Sequence, residues 1–183
     1  MTLKYSSMLE LQSDLIEFDL LNTITGENFS SINLDHTKPS LIMFICNHCP
    51  YVIHYHQQIQ ELEKDFRGKF NLVAISSNDI INYPQDGPEK MKLLWEELGL
   101  RFPYLYDETQ DIAKKYKAEC TPEFYLFNED KKLVYRGRFD ETSPSSEKDP
   151  DGKDLRNAMY CLIAGEKIAS EQYPSMGCNI KWK

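Results

Sequence analysis

Two cysteines separated by two residues are the feature of this sequence most able to do chemistry. The motif Cys46-Asn47-His48-Cys49 stands where an apolar run gives way to an amphipathic stretch. We expect the run to be a strand and the stretch to be a helix that begins near Cys49, with Pro50 in its first turn. A helix N-terminus carries partial positive charge, which stabilises a thiolate, and the short spacing allows the two sulfurs to form a disulfide.

His48 lies between the two cysteines, where a protonated imidazole favours the thiolate and so the reduced form, which makes the couple more oxidising. A pair of buried thiols without redox chemistry is one alternative, but the strand-to-helix junction favours redox. A zinc site completed by His54 and His56 is another. We expect no metal, because those histidines fall five and seven residues after Cys49, on different helix faces.

A further cysteine, Cys120, stands two residues before Pro122 and directly ahead of the apolar run Phe124–Phe127. Proline is tolerated at the first residue of a strand, so a plain strand start is one interpretation. The other is a cis-proline loop that faces the thiol pair and offers its backbone to a peptide or thiol partner. Cys120 is then either a third redox thiol or a small buried residue at the base of the loop.

Cys178 lies in a tail that ends Ile180-Lys181-Trp182-Lys183. We expect residues 170–183 to pack on the domain, because burying Trp182 removes apolar area from water. Cys178 is either an additional redox thiol near the active pair or a packed side chain, and packing is the favoured interpretation.

The elements that must position these residues alternate between strands and helices. Apolar runs predict strands at Leu41–Ile45, Leu72–Ile75, Phe124–Phe127 and Leu133–Tyr135, of which the last two form a hairpin. Apolar residues at helical spacing predict helices that begin near Cys49, at Pro88, around Ile112 and near Leu155. This order predicts an α/β fold with a central mixed sheet flanked by helices.

The remaining segments complete a single domain over residues 1–183. Thr25-Gly26-Glu27-Asn28 predicts the turn of an N-terminal β-hairpin between residues 15–21 and 30–34. Residues 140–153 are rich in Ser, Pro, Asp and Lys, which predicts a mobile surface loop.

Composition narrows the classes of function. The chain of 183 residues has 29 acidic and 21 basic side chains and a net charge of −8. An acidic chain repels phosphate backbones and anionic lipid, so we expect no nucleic-acid partner and no membrane partner. The sequence has no apolar run of roughly 18 residues and no secretory signal pattern. We therefore expect a cytoplasmic protein, in which cysteines are reactive, metal-binding or buried rather than structurally bridged.

Six strings of residues form a recognisable set. They are Phe44-Ile45-Cys46-Asn47-His48-Cys49-Pro50-Tyr51-Val52, Ser77-Asn78-Asp79, Tyr83-Pro84-Gln85-Asp86, Cys120-Thr121-Pro122, Tyr135-Arg136-Gly137-Arg138 and Gly177-Cys178-Asn179-Ile180-Lys181-Trp182-Lys183. Together they resemble the thioredoxin superfamily, and within it the peroxiredoxin-like redoxin group of the alkyl hydroperoxide reductase and thiol-specific antioxidant type. The resemblance covers the chain from about Phe18 to its end. It implies a thioredoxin-like fold with a redoxin-type insertion before Pro103.

The resemblance also implies roles for single residues. Cys46 takes the position of the exposed nucleophile, Cys49 that of the buried resolving thiol, and Pro122 that of the cis-proline. Thr121 and Asn47 are the expected substrate-binding neighbours. The strand before the motif lacks the buried acid of thioredoxins, and Ile45 replaces their tryptophan.

A peroxiredoxin alignment places Cys49 in the peroxidatic position instead. Cys46 then stands where that family has a threonine or serine. Ile42 occupies the position of the motif's proline, and the peroxidatic arginine has no clear match. This alignment therefore implies at most weak peroxidase activity.

The leading hypothesis is a thiol–disulfide oxidoreductase that uses the Cys46–Cys49 couple through a mixed disulfide and needs no cofactor. Its partners would be protein or small-molecule thiols and disulfides, and the sequence does not identify an electron donor such as thioredoxin or glutathione. Two alternatives stay open. One is a thiol-dependent peroxidase that acts on hydroperoxides, and the other is a redox-sensing binding module without turnover.

Overall fold

The computed structural model describes residues 2–183, and its strands form two sheets. In chain order the strands are β1 Leu3–Tyr5, β2 Asp19–Asn22, β3 Asn28–Ser30, β4 Ser40–Phe44, β5 Asn71–Ser76, β6 Tyr104–Tyr106, β7 Cys120–Thr121, β8 Glu123–Phe127, β9 Leu133–Gly137 and β10 Met176–Asn179. The larger sheet has the order β3-β2-β6-β5-β4-β8-β9, and the smaller one has the order β1-β10-β7. In the larger sheet β4, β5 and β6 are parallel to one another, whereas β8 and β9 are antiparallel, so the predicted mixed sheet is confirmed.

The helices cover both faces of the large sheet, which buries all five residues of β4 and explains its continuous apolar run. They are α1 Pro50–His54, α2 His56–Phe66, α3 Pro88–Leu98, α4 Asp111–Tyr116 and α5 Lys153–Ala164. The start at Pro50 is confirmed, with Cys49 as the N-cap residue. The single helix predicted after Cys49 is wrong, because Tyr55 N–H bonds the carbonyl of Val52 and tightens the last turn of α1 before α2 begins.

Both predicted hairpins are present. β2 and β3 pair around the turn at Thr25–Asn28, and β8 and β9 pair further along the chain. The first hairpin is shorter than predicted, since residues after Ser30 form a 3₁₀ turn whose N–H groups are capped by the Ser30 side chain.

The redoxin-type insertion lies between β5 and β6. It contains α3 and, before it, the 3₁₀ turn Pro84–Asp86. Trp95 of α3 is 1% exposed and donates its indole N–H to the carbonyl of Phe102 at 2.8 Å, which fixes the helix against the sheet. The insertion thereby holds the buried Asp86 against the loop that follows β4.

The C-terminal tail is held by β10, which lies between β1 and β7 in the small sheet. The expectation that Trp182 anchors the tail is wrong, because its side chain is 41% exposed. The close approach of backbones holds it instead. A Cβ atom on Gly177 would lie 2.0 Å from the carbonyl oxygen of Thr121, so only glycine permits this contact.

Residues 140–153 are anchored at both ends by the buried side chain of Asp140. Its carboxylate accepts hydrogen bonds from the backbone N–H groups of Thr142, Asp151 and Gly152, and from the hydroxyl of Tyr55 at 3.0 Å. Mobility of the segment between these anchors stays a prediction.

Among residues 2–183, no helix is both long enough and apolar enough to cross a bilayer.

We predict that Gly177→Ala lowers the free energy of unfolding by about 2 kcal/mol or more, because backbone atoms of β7 and β10 must separate to admit the methyl group. Gly87→Ala is the matched control. Its added Cβ would lie 3.3 Å from the carbonyl oxygen of Pro84, and we expect a loss below about 1 kcal/mol. Urea denaturation of both variants measures the difference, and equal losses would mean that the tail is not held by this contact.

Candidate active site

The thiol pair lies in the loop that joins the end of β4 to the start of α1. Cys46 follows Ile45, whose N–H bonds the carbonyl of Ile75 and so extends the register of the central strands to the edge of the motif. Cys46 is 2% exposed and Cys49 is fully buried, whereas Asn47 and His48 are half-buried. The expectation of an exposed Cys46 is therefore wrong.

The loop before β8 covers the two sulfurs. The Thr121–Pro122 peptide bond is cis, and the loop faces the thiol pair, as the second interpretation of this segment predicts. The Thr121 hydroxyl oxygen lies 3.4 Å from Cys46 Sγ, and the Cys49 thiol donates to the Thr121 carbonyl oxygen at 3.1 Å. One residue of this loop therefore contacts both sulfurs and contributes to their burial.

Asp86 holds the motif from the opposite side. Its carboxylate accepts the backbone N–H groups of Asn47 at 2.9 Å and His48 at 3.3 Å, and the side-chain N–H of Asn78 at 2.9 Å. The fourth donor is the His48 ring, whose Nδ1 lies 2.6 Å from Asp86 Oδ2. Because a carboxylate only accepts, the proton in this bond is on His48 Nδ1. The second nitrogen, Nε2, remains the one that can exchange a proton.

Further contacts fix the orientation of His48 and Asn47. The His48 ring stacks on Tyr83 with ring centroids 5.5 Å apart and an interplanar angle of 9°. The buried Tyr104 donates its hydroxyl to Asn47 Oδ1 at 3.1 Å. The tail joins the same network, because Lys181 N–H donates to Asn78 Oδ1 at 2.8 Å. Asn78 thereby connects the tail to the carboxylate of Asp86.

Hydrogen bonds lower the pKa of Cys49 to about 5, against an ordinary value of 9.0. The largest cause is the hydrogen bond from the Cys46 thiol, followed by the Thr121 hydroxyl and by the thiol and backbone N–H of Cys178. Burial acts in the opposite direction, since it disfavours the charged form. The donors outweigh burial, so Cys49 is the more acidic thiol of the reduced pair.

Cys46 is shifted in the opposite direction. Its pKa is raised because its thiol donates to Cys49, because it is buried, and because the anionic Asp86 lies nearby. The two shifts together make Cys49 the more acidic thiol of the pair. The nucleophilic role that the resemblance implies for Cys46 stays a prediction.

The other cysteines differ in their relation to the pair. Cys178 pairs with Thr121 in the small sheet, and hydrogen bonds with Cys178 are among the causes that lower the pKa of Cys49. Cys120 is fully buried and points the other way along β7, with its sulfur 3.8 Å from the carbonyl of Ser175. Cys161 is half-buried on α5.

One group among the described residues has the donor atoms for a metal ion. Cys46, His48 and Asp86 place one ligand atom each within 4.8 Å of one another. The four hydrogen bonds of Asp86 occupy its carboxylate oxygens, so an ion would have to displace donors that hold the motif in place. His54 does not join this group, because its Nε2 bonds the Thr142 hydroxyl at 2.8 Å. The absence of a metal stays a prediction.

A family model described as Redoxin matches residues 16–153. The chain belongs to the redoxin family. Family membership supports a thiol redox function and agrees with the thioredoxin-like fold predicted from the sequence. The matched range contains the thiol pair, Asp86 and the cis-proline loop. It ends before Cys178, so the family model does not include the third thiol that contacts Cys49.

Solved structures of similar proteins support the same fold. An uncharacterised conserved protein from Geobacillus kaustophilus is 43% identical, with a TM-score of 0.97 over 100% of this chain and 97% of that one. A hypothetical protein from Sinorhizobium meliloti is 35% identical, with a TM-score of 0.94 over 98% of both chains. A thiol-disulfide oxidoreductase from Bacteroides fragilis is 19% identical, with a TM-score of 0.56 over 79% of this chain and 98% of that one, a likeness of fold alone. No curated protein matches the sequence.

Asp86 is the site residue whose role the sequence did not reveal. It stands 38 residues after His48, in a string that the resemblance singled out without assigning it a role. The only signal was its place in the insertion, directly before the Gly87-Pro88 start of a helix. The proton-bearing nitrogen of His48 also depends on this carboxylate, so it could not be inferred from the motif.

We predict that the reduced protein ionises one thiol with a midpoint near pH 5. Because the pKa of Cys49 is lowered, its thiolate is present above about pH 5 and is lost as pH falls through that value. Thiolate ultraviolet absorbance of the reduced protein measures the midpoint. Cys49→Ser should abolish this transition, and Cys161→Ser should retain it. A first midpoint near pH 9 in the unmodified protein would contradict the assignment of charge to Cys49.

Proposed function

We propose that this redoxin catalyses thiol–disulfide exchange with Cys46 and Cys49 as its dithiol/disulfide couple. The observation that carries the proposal is that Cys46 and Cys49 lie together under the cis-proline loop, where Thr121 contacts both sulfurs. The pKa of Cys49 is lowered and that of Cys46 is raised, so the two thiols differ in acidity. A leaving thiol of low pKa speeds the opening of a disulfide. When the pair is oxidised, Cys49 is therefore the better leaving group, and attack by an external thiol is directed to Cys46.

The exchange proceeds in two balanced steps. A thiolate of a substrate dithiol attacks Cys46 Sγ, the Cys46–Cys49 bond breaks, and its electron pair remains on Cys49 as a thiolate. The second substrate thiolate then attacks the substrate sulfur of the mixed disulfide and releases Cys46, which takes up a proton. The substrate loses two electrons and two protons, and the second proton passes to solvent because Cys49 stays ionised.

The residues around the motif have distinct parts in these steps. Asn47 and His48 are the half-buried residues beside Cys46, so an incoming thiol approaches over them. Asp86 holds the proton on His48 Nδ1, which leaves Nε2 to accept the proton of that thiol. The backbone beside the cis Thr121–Pro122 bond is the proposed binding surface for the substrate chain. Thr121 contacts both sulfurs, Cys46 through its hydroxyl and Cys49 through its carbonyl oxygen, and so keeps the pair together during the exchange.

The same electrostatics favour the oxidising direction. Stabilising one thiolate stabilises the reduced form, which raises the reduction potential of the couple. The proposed substrates are protein or small-molecule dithiols. A glutathione-type or thioredoxin-type partner would exchange electrons with the couple, in the cytoplasm that the composition predicts.

A thiol-dependent peroxidase is the second candidate, because the acidic Cys49 stands directly before Pro50, in the peroxidatic position of the alternative alignment. Peroxide would oxidise the Cys49 thiolate to a sulfenic acid, and the Cys46 thiol would condense with it to form the same disulfide and release water. The complete burial of Cys49 disfavours this reaction relative to exchange at Cys46.

Single-cysteine variants distinguish the two candidates. We predict that Cys46→Ser lowers the rate of dithiol oxidation by a factor on the order of 10³ or more, because the attacked sulfur is lost. Cys49→Ser should accumulate a stable mixed disulfide on Cys46 when it is treated with glutathione disulfide, as mass spectrometry of its peptides would record. Cys161→Ser is the control and should match the unmodified protein.

The opposite pattern would overturn the exchange mechanism. If Cys46→Ser consumes hydroperoxide at the unmodified rate while Cys49→Ser does not, the peroxidase assignment is correct. If the unmodified protein shows neither activity, the chain is a binding module without turnover.

A further inference from the structure

Cys178 approaches the thiol pair from the side opposite to Asp86. It lies on β10, where its Cα is the register partner of Thr121 on one side and of Leu3 on the other. The side chain is 4% exposed. Because the backbones of Gly177 and Thr121 approach closely, this part of β10 packs directly against the cis-proline loop. This packing determines the position of Cys178 in the site.

Cys178 and Thr121 are register partners in an antiparallel pair, so their side chains lie on the same face of the small sheet. On that face the Thr121 hydroxyl oxygen lies 3.4 Å from Cys46 Sγ, which places the Cys178 thiol beside the thiol pair. Hydrogen bonds with the thiol and the backbone of Cys178 are among the causes that lower the pKa of Cys49. Burial and the neighbouring Cys49 thiolate raise the pKa of Cys178 to about 12, so it remains protonated while the pair is reduced.

A packed cysteine would not need this arrangement. Cys120, one residue before the register partner of Cys178, has its side chain on the other face of β7, where it contacts oxygen atoms of Glu123 and Ser175. Three further contacts hold the strand that bears Cys178. Ile180 N–H bonds the carbonyl of Glu119, Asn179 N–H bonds that of Thr2, and Lys181 N–H bonds Asn78. The tail is thus held where its thiol meets Cys49.

We propose that Cys178 is a third redox thiol of this site. It attacks Cys49 in the Cys46–Cys49 disulfide and forms a Cys49–Cys178 disulfide in its place. The proposal rests on the exchange function proposed above and assigns it a second, internal disulfide. Cys178 loses its proton and attacks Cys49 Sγ, the Cys46–Cys49 bond breaks, and Cys46 leaves with the electron pair and takes up a proton. No electron enters or leaves the protein, so the step is an isomerisation.

The internal disulfide changes the reactivity of Cys46. While Cys49 is a thiolate, its charge and its hydrogen bond keep the Cys46 thiol protonated. Once Cys49 is bonded to Cys178, both causes are removed, and Cys46 becomes a more acidic free thiol beside His48. Cys178 thus converts the oxidised site into one in which Cys46 is a free nucleophilic thiol and the disulfide joins the buried residues Cys49 and Cys178.

The test is peptide mapping of disulfides in Cys46→Ser, which retains both cysteines of the proposed bond. The folded protein is equilibrated in glutathione redox buffers, quenched in acid, alkylated and digested. We expect a peptide linked through Cys49 and Cys178. The link should be lost in Cys46→Ser/Cys178→Ser and kept in Cys46→Ser/Cys120→Ser, because Cys120 points away from the pair.

The unmodified protein supplies a second readout. Because the isomerisation transfers no electrons, the ratio of Cys46–Cys49 to Cys49–Cys178 links should stay constant across the buffer series. In Cys178→Ser the Cys46–Cys49 link alone should remain.

The proposal is overturned if Cys46→Ser yields Cys49 only as a free thiol or a glutathione adduct, with Cys178 alkylated in every buffer. The proposed exchange function would survive that result. The exchange function itself fails if the unmodified protein yields no Cys46–Cys49 link in any buffer, so the two failures are distinguishable.

Discussion

A buried thiolate at Cys49 is the constraint around which the site is organised. Moving a charge out of water is costly unless hydrogen bonds replace the lost hydration. No single element supplies enough donors here. The loop after β4 brings the Cys46 thiol, the cis-proline loop brings the Thr121 hydroxyl, and β10 brings the thiol and N–H of Cys178. Three segments that are distant in the sequence therefore meet at one sulfur.

A second buried acidic group, Asp86, explains why the insertion and the tail both contact the motif. Asp86 is completely buried and lies close enough to raise the pKa of Cys46. Its carboxylate has its own four donors, which are separate from the hydrogen bonds that lower the pKa of Cys49. The insertion before β6 supplies Asp86, and the tail supports it through Asn78. Insertion and tail are thus part of the same electrostatic arrangement as the motif.

Local patterns in the sequence predicted the strands and helices that surround this site. Its chemistry depends on contacts between residues that are far apart in the sequence. The apolar run before Cys46, the proline at α1 and the Pro88 and Gly99 boundaries of α3 are signals that a short window contains. β1 and β10 have three and four residues, too few for a recognisable pattern. The roles of Asp86 and Cys178 depend on contacts between residues that are far apart in the sequence, which no short window contains.

The pH dependence of the reduction potential tests the central claim most directly, because it counts the protons taken up when the Cys46–Cys49 disulfide is reduced. If Cys49 is a thiolate and Cys46 a thiol, reduction binds one proton for two electrons between about pH 5 and 9. The potential should then fall by about 30 mV per pH unit in that range and by about 59 mV per unit below it. A slope of about 59 mV per unit up to pH 9 would mean that both sulfurs are protonated, and would contradict the account.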